Sequence, residues 1–177
     1  MGRMHTPDPV KLICGFIFAN QNVLQQAVER LQVRLGNIDA HSEIFPFTHS
    51  SYYRQEMGPD LGRLFVAFER LIRCEQLPEI KILSNGLEEN LAVSSAGRLK
   101  RRINIDPGYL EASKLVLAST KNFSHRIYLG RGIYGEVTLQ YRADRFHPLP
   151  WTYPDYQDPQ VLDFLKRTRR AYMKRIR

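Results

Sequence analysis

Nine residues, LGRGIYGEV at Leu129–Val137, decide how the second half of this chain folds. Their glycines have the G-x-G-x-x-G-x-V spacing of a protein-kinase phosphate loop. The residues that follow contain no V-A-I-K lysine, H-R-D or D-F-G motif, and the chain has no G-x-x-x-x-G-K-[ST] phosphate loop. We therefore predict a β-hairpin whose loop is Gly130-Arg131-Gly132, because glycine readily adopts the left-handed conformation that a three-residue loop needs.

The register of this hairpin predicts which strand residues face each other. Leu129 faces Ile133, Tyr128 faces Tyr134, Ile127 faces Gly135, and Arg126 faces Glu136. Strand alternation then predicts a buried apolar face made of Ile127, Leu129, Ile133, Val137, Leu139 and Tyr141. The opposite face carries Arg126, Tyr128, Tyr134, Glu136, Thr138 and Gln140. The contact between Arg126 and Glu136 could be no more than a cross-strand ion pair. Alternatively, this polar face could line a ligand cleft.

Charge is concentrated at one end of the chain. The 177 residues carry a net charge of +8, and seven of the 26 Lys and Arg lie in the last twelve residues, which contain no acid. A near-neutral body with a basic tail differs from a uniformly basic nucleic-acid binder. The length suits a single domain over 1–177. No membrane span, signal-peptide pattern or C-x-x-C pair is visible, so we expect a cytoplasmic protein with reduced cysteines and no membrane partner.

Hydrophobic periodicity predicts the remaining elements. A buried strand at Val10–Ala19 precedes a helix capped by Asn22 and ended by Gly36. Further on, the patterns favour the following elements: a strand at Ile38–Phe47, a strand or helix at Leu64–Ile72, a short extended segment at Ile80–Leu83, a helix at Leu87–Val93, a strand at Ile103–Ile105, a turn at Asp106-Pro107-Gly108 and a helix at Leu110–Ser119.

The C-terminal segment predicts an amphipathic basic helix over 159–177. Asp158 is a candidate cap and Pro159 suits the first helical turn, while Val161, Leu165, Tyr172 and Ile176 fall on one face. The complete pattern indicates an α+β fold in a single domain, with a mostly antiparallel sheet and packed helices.

The first functional hypothesis is a small-molecule site on the sheet face for a nucleotide or another phosphorylated ligand. Its candidate residues are Asp106, Lys114, His125, Arg126, Tyr134 and Glu136. Acid–base work by Asp106, Glu136 or His125 would require a cleft, and the hypothesis requires Asp106 and Glu136 to share one face of the sheet. Asp106 could alternatively be a turn former. The aromatic connector WTYPDYQDP at Trp151–Pro159 could stack a ligand ring or cover the core.

The second hypothesis is a binding module that docks on RNA, the ribosome or an acidic partner. It uses two basic clusters, which comprise Arg98, Lys100, Arg101, Arg102, Lys166, Arg167, Arg169, Arg170, Lys174 and Arg175. His41 and Glu43 would share a strand face, but the chain has no H-x-x-x-H spacing, and we expect no metal site.

Several blocks resemble a family of bacterial proteins of unknown function. They are PVKLICGFIFAN at Pro9–Asn20, YYRQEMG at Tyr52–Gly58, RINIDPGYL at Arg102–Leu110, KLVLASTKNFSHRIYLGRGIYGEVTL at Lys114–Leu139 and WTYPDY at Trp151–Tyr156. Some members carry the label "GTP-binding protein", but the family has no established activity that the resemblance could imply for this chain, so the label is only a claim to be tested. The N-K-x-D guanine-reading motif is absent, and the nearest phrase is STKNF at Ser119–Phe123. The cofactor, the oligomeric state and whether the protein is an enzyme all stay open.

Overall fold

The computed structural model describes residues 2–95 and 97–176. Its strands are β1 (Val10–Phe18), β2 (Ile38–His41), β3 (Phe45–Pro46), β4 (Gly62–Ile72), β5 (Val93–Ser95), β6 (Arg98–Lys100), β7 (Ile103–Leu110), β8 (Lys114–Ser119), β9 (Ile127–Gly130), β10 (Ile133–Arg142) and β11 (Arg145–Pro148). Its helices are α1 (Gln21–Leu35), α2 (Arg54–Met57), α3 (Leu77–Leu91) and α4 (Pro159–Arg175). Short 3-10 helices cover Cys74–Gln76 and Pro154–Gln157.

Within the described residues, nine strands form one sheet in the order β11-β10-β8-β7-β1-β4-β2. Beside this path, β3 pairs with β4 and β9 pairs with β10. All pairings in this sheet are antiparallel. In the part of the chain that the structure describes, the short strands β5 and β6 pair with each other and not with the large sheet. The predicted α+β fold with a mostly antiparallel sheet is confirmed.

Helices cover both faces of the sheet. On one face, α1 and α3 pack on apolar side chains of the central strands that include Leu12, Phe16 and Val66. On the other face, α4 inserts Phe164 and Leu165 against a second cluster that contains Ile13, Phe65 and Leu117. Because both faces are covered, β1 is buried along its whole length, and this explains its continuous apolar sequence.

The predicted β1–α1 unit is confirmed, with its helix start displaced by two residues. Asn20 is the N-cap in place of Asn22, and its side-chain oxygen accepts a hydrogen bond from the Val23 N–H at 3.1 Å. The helix stops at Gly36, whose φ of +97° lies in the region that favours glycine.

The prediction for residues 77–93 is wrong in its first half. Instead of an extended Ile80–Leu83 followed by a separate helix, one helix, α3, runs from Leu77 to Leu91. Pro78 suits its first turn, and buried residues such as Ile80, Ser84, Leu87 and Leu91 recur at helical spacing. Leu64–Ile72, for which the sequence allowed a strand or a helix, is a strand, since it lies within β4. The predicted strand Ile38–Phe47 is divided into β2 and β3.

The turn predicted at Asp106-Pro107-Gly108 and the helix predicted at Leu110–Ser119 are both wrong. Strand β7 passes straight through Pro107 and Gly108, and Lys114–Ser119 is strand β8. Proline and glycine normally punctuate a chain, but proline is tolerated in a sheet wherever its nitrogen faces no hydrogen-bonding partner. The structure provides such a place in the centre of the sheet.

The predicted hairpin at Leu129–Val137 is present with a shorter turn. Tyr128 pairs with Tyr134 and Ile127 with Gly135, as predicted, but Ile133 pairs with Gly130 and not with Leu129. Arg131 and Gly132 both have positive φ, as a two-residue hairpin turn requires. Ile133 and Leu139 are both buried, but a bulge between Val137 and Leu139 places them in different hydrophobic clusters, so the predicted single apolar face is wrong. Ile127 and Leu129 on the short outer strand β9 are exposed.

The predicted C-terminal helix is confirmed as α4, with Val161, Leu165 and Tyr172 buried on one face. Asp158 precedes it but does not cap it with a side-chain hydrogen bond; its carboxylate instead lies 3.0 Å from His49 Nε2. Among residues 2–95 and 97–176, no helix has both the length and the apolar character that crossing a bilayer demands.

Candidate functional site

The ladder between β7 and β8 stops partway along both strands. It contains the pairs Gly108–Leu117, Tyr109–Val116 and Leu110–Leu115, although β7 begins five residues before Gly108. A Cβ on residue 108 would lie 2.4 Å from the Val116 carbonyl oxygen, so glycine is what allows the two strands to approach at this point. Beyond this pair the sheet is open.

Side chains from α3 take the place of β8 along the open part of β7. The Ile105 N–H donates to Glu88 Oε1 at 2.7 Å, and the Ile105 carbonyl accepts from Lys81 Nζ at 2.8 Å. In a strand, backbone groups two residues apart point to the same side, so Pro107 turns its nitrogen toward this same opening. Because proline has no N–H, it leaves no backbone donor unpaired there.

A cavity of about 320 Å³ lies beside the opening, on the sheet face that also packs against α4. We call it the sheet cavity. Its volume falls at the lower end of the range of about 300–1,000 Å³ typical of small-molecule sites. Apolar side chains contribute to its wall, and its charged or phenolic lining residues include Arg63, Asp106, Arg126, Glu136, Asp155 and Tyr156.

The structure brings three of the six predicted ligand residues into the sheet cavity. Asp106, Arg126 and Glu136 all line it, so Asp106 and Glu136 share one face of the sheet, as the small-molecule hypothesis requires. His125 lies directly behind them: its Nε2 is 3.0 Å from Glu136 Oε2, and its ring stacks on Trp151 with centroids 4.7 Å apart.

The other two predicted residues lie elsewhere. Lys114 is at the start of β8, on a strand and not on the predicted helix, and its ammonium group pairs with Glu111. The ring of Tyr134 packs against that of Tyr128, with centroids 5.3 Å apart. Neither side chain is part of the cavity wall in the described residues.

Glu136 is the centre of a buried polar cluster. Its Oε2 accepts from Arg126 Nε at 2.8 Å and lies beside His125, while the Thr138 hydroxyl donates to Oε1 at 3.2 Å. The carboxylate is only 2% exposed. The predicted contact between Arg126 and Glu136 is therefore present, as a buried ion pair and not as a surface pair. With these three groups around it, Glu136 has little capacity left to contact a ligand.

Arg126 is almost fully occupied by the protein. Besides Glu136, its guanidinium donates to Ser119 Oγ and the Lys121 carbonyl, each at 3.0 Å, and to the Tyr153 hydroxyl at 2.9 Å. Burial alone lowers the pKa of Arg126, but the hydrogen bond and charge of Glu136 together with the nearby Tyr153 outweigh it, and the net pKa lies above the ordinary value. Arg126 thus shapes the wall of the cavity and holds Tyr153 at its edge.

The sequence did not reveal the most unusual residue of the cavity, Arg63 on β4. Its side chain is 1% exposed, and its Nη2 lies 2.7 Å from Asp155 Oδ2. The guanidinium carbon lies 4.2 Å from the centroid of the Phe65 ring and 5.2 Å from that of Tyr156. Gly15 makes room for it, since a Cβ there would lie 3.0 Å from both Nη atoms.

The hydrogen-bonding capacity of this cluster is incomplete. Within the described residues, Arg63 Nε, Arg63 Nη1 and the Tyr156 hydroxyl are buried without a hydrogen-bond partner; Arg63 and the Tyr156 hydroxyl are close enough to affect each other's pKa, but they do not meet the geometry of a hydrogen bond. Burial alone lowers the pKa of Arg63, the charge of Asp155 raises it, and the net pKa is above the ordinary value. Burial raises the pKa of Tyr156 well above its ordinary value, so this hydroxyl keeps its proton. Both groups are therefore permanent donors.

One sequence signal could have found this cluster. In β4, GRLFVAFERLI at Gly62–Ile72, alternation places Arg63 on the same inward face as Phe65 and Ala67. A charged residue at an inward-facing position of a strand needs a partner of opposite charge, because an unpaired buried charge is costly. That partner, Asp155, lies in the aromatic connector WTYPDY, more than ninety residues away. The connector packs over the core and also lines the cavity through Tyr153, Asp155 and Tyr156.

Asp106 differs from the other two carboxylates in the cavity. Asn104 Nδ2 donates to its Oδ2 at 2.7 Å, and Lys81 Nζ lies 3.5 Å from its Oδ1. Glu136 and Asp155, by contrast, each accept a close hydrogen bond or ion pair from an arginine. Asp106 is also more exposed, at 28% of its side chain. It is the carboxylate with the most capacity left for a ligand.

The predicted basic clusters are partly occupied by contacts within the protein. Arg101 binds Glu56 at 2.7 Å, and Arg169 donates to the Ala112 carbonyl at 2.8 Å while its guanidinium lies over the Tyr141 ring. Lys166, Arg167 and Arg175 also contact protein acceptors. Arg98, Lys100, Arg170 and Lys174 are exposed, whereas Arg102 is half-buried.

Comparisons with known proteins identify a family for the chain but no reaction. In the described residues, no group of three or more His, Cys, Asp or Glu could hold a metal ion. No curated protein and no solved structure matches the chain. One family model does match, over residues 8–172, and its description is a domain of unknown function (DUF4416). The chain therefore belongs to this family of uncharacterised proteins, in agreement with the resemblance seen in its sequence.

Proposed function

We propose that this protein binds a small molecule in the sheet cavity. The observation that carries the proposal is the convergence of Asp106 and Arg126, which were predicted from the sequence, with the buried cation Arg63 around one enclosed space. A concave pocket with a few convergent polar groups is the usual form of a small-molecule site. The phosphorylated ligand or nucleotide predicted from the sequence stays a candidate, and GTP is tested as one member of that class.

The composition of the wall supports binding of an organic molecule. Ile17, Phe47 and Leu117 supply apolar surface, which can contact the body of a ligand. The polar groups occupy defined positions, because Arg126 and Arg63 are each held by a buried carboxylate. A site whose polar groups are fixed before binding pays little ordering entropy when the ligand arrives.

Asp106 is the candidate acid–base group of this site. Its partners are a neutral amide and a lysine at 3.5 Å, so it has more free acceptor capacity than Glu136 or Asp155. A general base has to reach the proton that it removes, and a partly exposed carboxylate in a cavity meets this requirement. We limit the proposal to binding, with Asp106 as the position where a reaction would take place.

Thermal unfolding against a ligand panel tests the proposal. The panel contains nucleotides including GTP, with and without Mg²⁺, together with phosphorylated metabolites and carboxylic acids. A ligand at 100 times its Kd stabilises the folded state by about 2.7 kcal/mol, which is readily visible as a shift of the midpoint. We expect Asp106→Asn to weaken the shift, whereas Lys114→Ala, which lies outside the cavity, keeps it.

Two results would count against the proposal. One is a panel in which nothing shifts the midpoint. The other is a ligand whose shift is the same in wild type and in Asp106→Asn, because such a ligand binds somewhere else. The hypothesis of nucleic-acid binding through α4 would then be the next to test, by the experiment described in the Discussion.

A further inference from the structure

We propose that the innermost part of the sheet cavity is a subsite for a single carboxylate group, bound by Arg63 and the Tyr156 hydroxyl, with an apolar or aromatic body of the ligand toward Tyr53 and Tyr153. This inference rests on the proposed function, since it names the class of ligand for the same cavity. Four features of the cavity support it.

The first feature is the set of donors without acceptors. Arg63 Nε and Nη1 and the Tyr156 hydroxyl are buried and have no partner among the described residues. Leaving buried donors unpaired carries the full desolvation penalty of each group. Unpaired buried donors are rare in folded proteins and need an explanation. One explanation is that a bound ligand supplies the acceptor. All three belong to side chains that line the same cavity, and because the atoms themselves are buried, Arg63 or Tyr156 has to shift slightly to admit a ligand oxygen.

The second feature is the orientation of Arg63. Its guanidinium group lies over the rings of Phe65 and Tyr156, at 4.2 and 5.2 Å from their centroids. Gly15 lies close to the guanidinium as well, so the environment restricts its plane. Nη2 is paired with Asp155, so an acceptor can reach the group at Nε or at Nη1, which lie on different sides of the guanidinium. One oxygen of a carboxylate can accept from one of these N–H groups while its other oxygen accepts from the Tyr156 hydroxyl, and the bond to the guanidinium is charge-assisted.

The third feature is the balance of charge. Among the described residues that line the cavity, three cations, Arg63, Lys121 and Arg126, face three carboxylates, Asp106, Glu136 and Asp155. Behind the wall, the positive charges of Lys81 and Arg101 face Glu56 and Glu88, and burial raises the pKa of Glu88 to about 7. While Glu88 keeps its proton, this layer has one positive charge left over, which one negative charge on a ligand offsets. A doubly charged phosphate would instead lie close to Asp155, which already shares Arg63.

The fourth feature is the aromatic part of the wall. Phe47, Tyr53 and Tyr153 line the cavity together with Arg63 and Tyr156. Aromatic side chains bind rings in offset-stacked or edge-to-face arrangements. A carboxylic acid with an aromatic or apolar body satisfies the charged and the apolar parts of this wall at once.

Three ligands that share one phenyl ring test the inference. Benzoate carries a single charge, benzamide has the same shape without charge, and phenyl phosphate carries up to two charges at neutral pH. Saturation-transfer NMR and isothermal titration measure their binding to the wild-type protein at low millimolar concentration. We expect benzoate to bind about tenfold more tightly than benzamide, because a hydrogen bond to a charged group is worth roughly twice a neutral one. Phenyl phosphate should bind more weakly than benzoate.

The matched variants are two buried tyrosines. Tyr156→Phe removes a hydroxyl without a partner, so it should leave the thermal midpoint unchanged or raise it while weakening benzoate binding about fivefold to tenfold. Tyr172→Phe removes a hydroxyl that donates to the Pro9 carbonyl at 3.0 Å, so it should lower the midpoint and leave benzoate binding unchanged. This opposite pattern separates a role in recognition from a role in folding.

Arg63→Lys is the second test of the subsite. Lysine keeps a positive charge beside Asp155 but lacks the planar fork, so we expect benzoate binding to fall by about tenfold or more. The inference is overturned if none of the three ligands binds, if phenyl phosphate binds more tightly than benzoate, or if Tyr156→Phe and Arg63→Lys leave benzoate binding unchanged. Ligands from the wider panel that depend on Asp106 would still support the proposed function in each of these cases.

Discussion

The backbone N–H of Ile105 donates to the carboxylate of Glu88 at 2.7 Å, in the middle of a sheet where a neighbouring strand would ordinarily provide the acceptor. Lys81, seven residues earlier on the same helix, binds the carbonyl of the same residue at 2.8 Å. Two side chains of α3 thus make the hydrogen bonds to the backbone of β7 that β8 does not make. The cavity exists because the sheet can open here without leaving its backbone unpaired.

Glu88 should make stability depend on pH. Burial raises the pKa of Glu88 from its ordinary value of 4.5 to about 7. Between these two values the folded chain keeps a proton that the unfolded chain releases, so the contribution of this group to stability falls as pH rises from about 4.5 to 7. The full change is at most about 3 kcal/mol, since each pKa unit corresponds to about 1.4 kcal/mol.

Urea unfolding across this pH range measures the effect. In Glu88→Gln, which keeps an acceptor for the Ile105 N–H, we expect the fall in unfolding free energy to be smaller than in wild type. Glu89→Gln is the control, because Glu89 is its exposed neighbour on α3. Identical pH profiles for wild type and Glu88→Gln would show that Glu88 does not titrate in this window.

Gly108 should tolerate no side chain. An added Cβ would lie 2.4 Å from the Val116 carbonyl oxygen, so Gly108→Ala forces β7 and β8 apart at the last pair of their ladder. We expect a loss of about 1–3 kcal/mol in unfolding free energy, as for other overpacked sites. In Gly86→Ala the new Cβ meets no atom within 4 Å, and alanine is the better helix former, so that variant should gain up to about 1 kcal/mol. Equal stabilities of the two variants would contradict the close approach of the strands.

The buried pair of Arg126 and Glu136 should matter far more than a surface pair of the same chemistry. The two side chains are 7% and 2% exposed, so Arg126→Ala leaves a buried carboxylate without its cation, and we expect a loss of about 3–5 kcal/mol. Arg167 and Asp163 form an exposed pair on α4, and Arg167→Ala should change stability by less than about 0.5 kcal/mol. Chemical denaturation measures both, and similar losses would show that the burial of the first pair has no energetic role.

The hypothesis of nucleic-acid binding makes a prediction about salt. Deleting the end of α4 cannot test it, because Thr168 and Tyr172 are buried there and their loss would disturb the fold. Arg170 and Lys174 are exposed, so replacing both with Gln removes charge without removing packing. If α4 contacts phosphates, the slope of log K against log salt for an RNA oligonucleotide should fall by about 1–2 in this variant. Replacing the exposed Arg30 and Arg34 of α1 removes the same charge elsewhere, and an equal effect there would exclude a specific role of α4.

The sequence predicted those parts of the fold that depend on local pattern. The β1–α1 unit, the pairing of Tyr128 with Tyr134 and the buried face of α4 all follow from periodicity within a few turns or strand residues. Pro107 misled the prediction, because a proline in a central strand is acceptable only where the ladder is open, and this depends on α3, some twenty residues earlier. Ile127 and Leu129 were placed in the core, since alternation cannot tell an outer strand from an inner one.

The candidate site was predicted only in part for a similar reason. Asp106 and Glu136 were candidates from the sequence, but the sequence predicted a turn at Asp106 and could not place the two carboxylates on one face; the structure does. Arg63 and Asp155 come from segments far apart in the chain, and their partnership appears only when the aromatic connector folds over β4. Side chains that meet through tertiary contacts leave only a weak trace in a single sequence, and here that trace was one charged residue in the apolar phase of a strand.

The short ladder between β7 and β8 also has a mechanical consequence. Three residue pairs join the two parts of the sheet. One part consists of β8, β10 and β11, and the other consists of β7, β1, β4 and β2. The sheet cavity is lined by both parts of the sheet: Glu136 and Ser119 belong to the first part, and Arg63 and Asp106 belong to the second. A molecule bound there would contact both parts of the sheet and would add to the three residue pairs that join them.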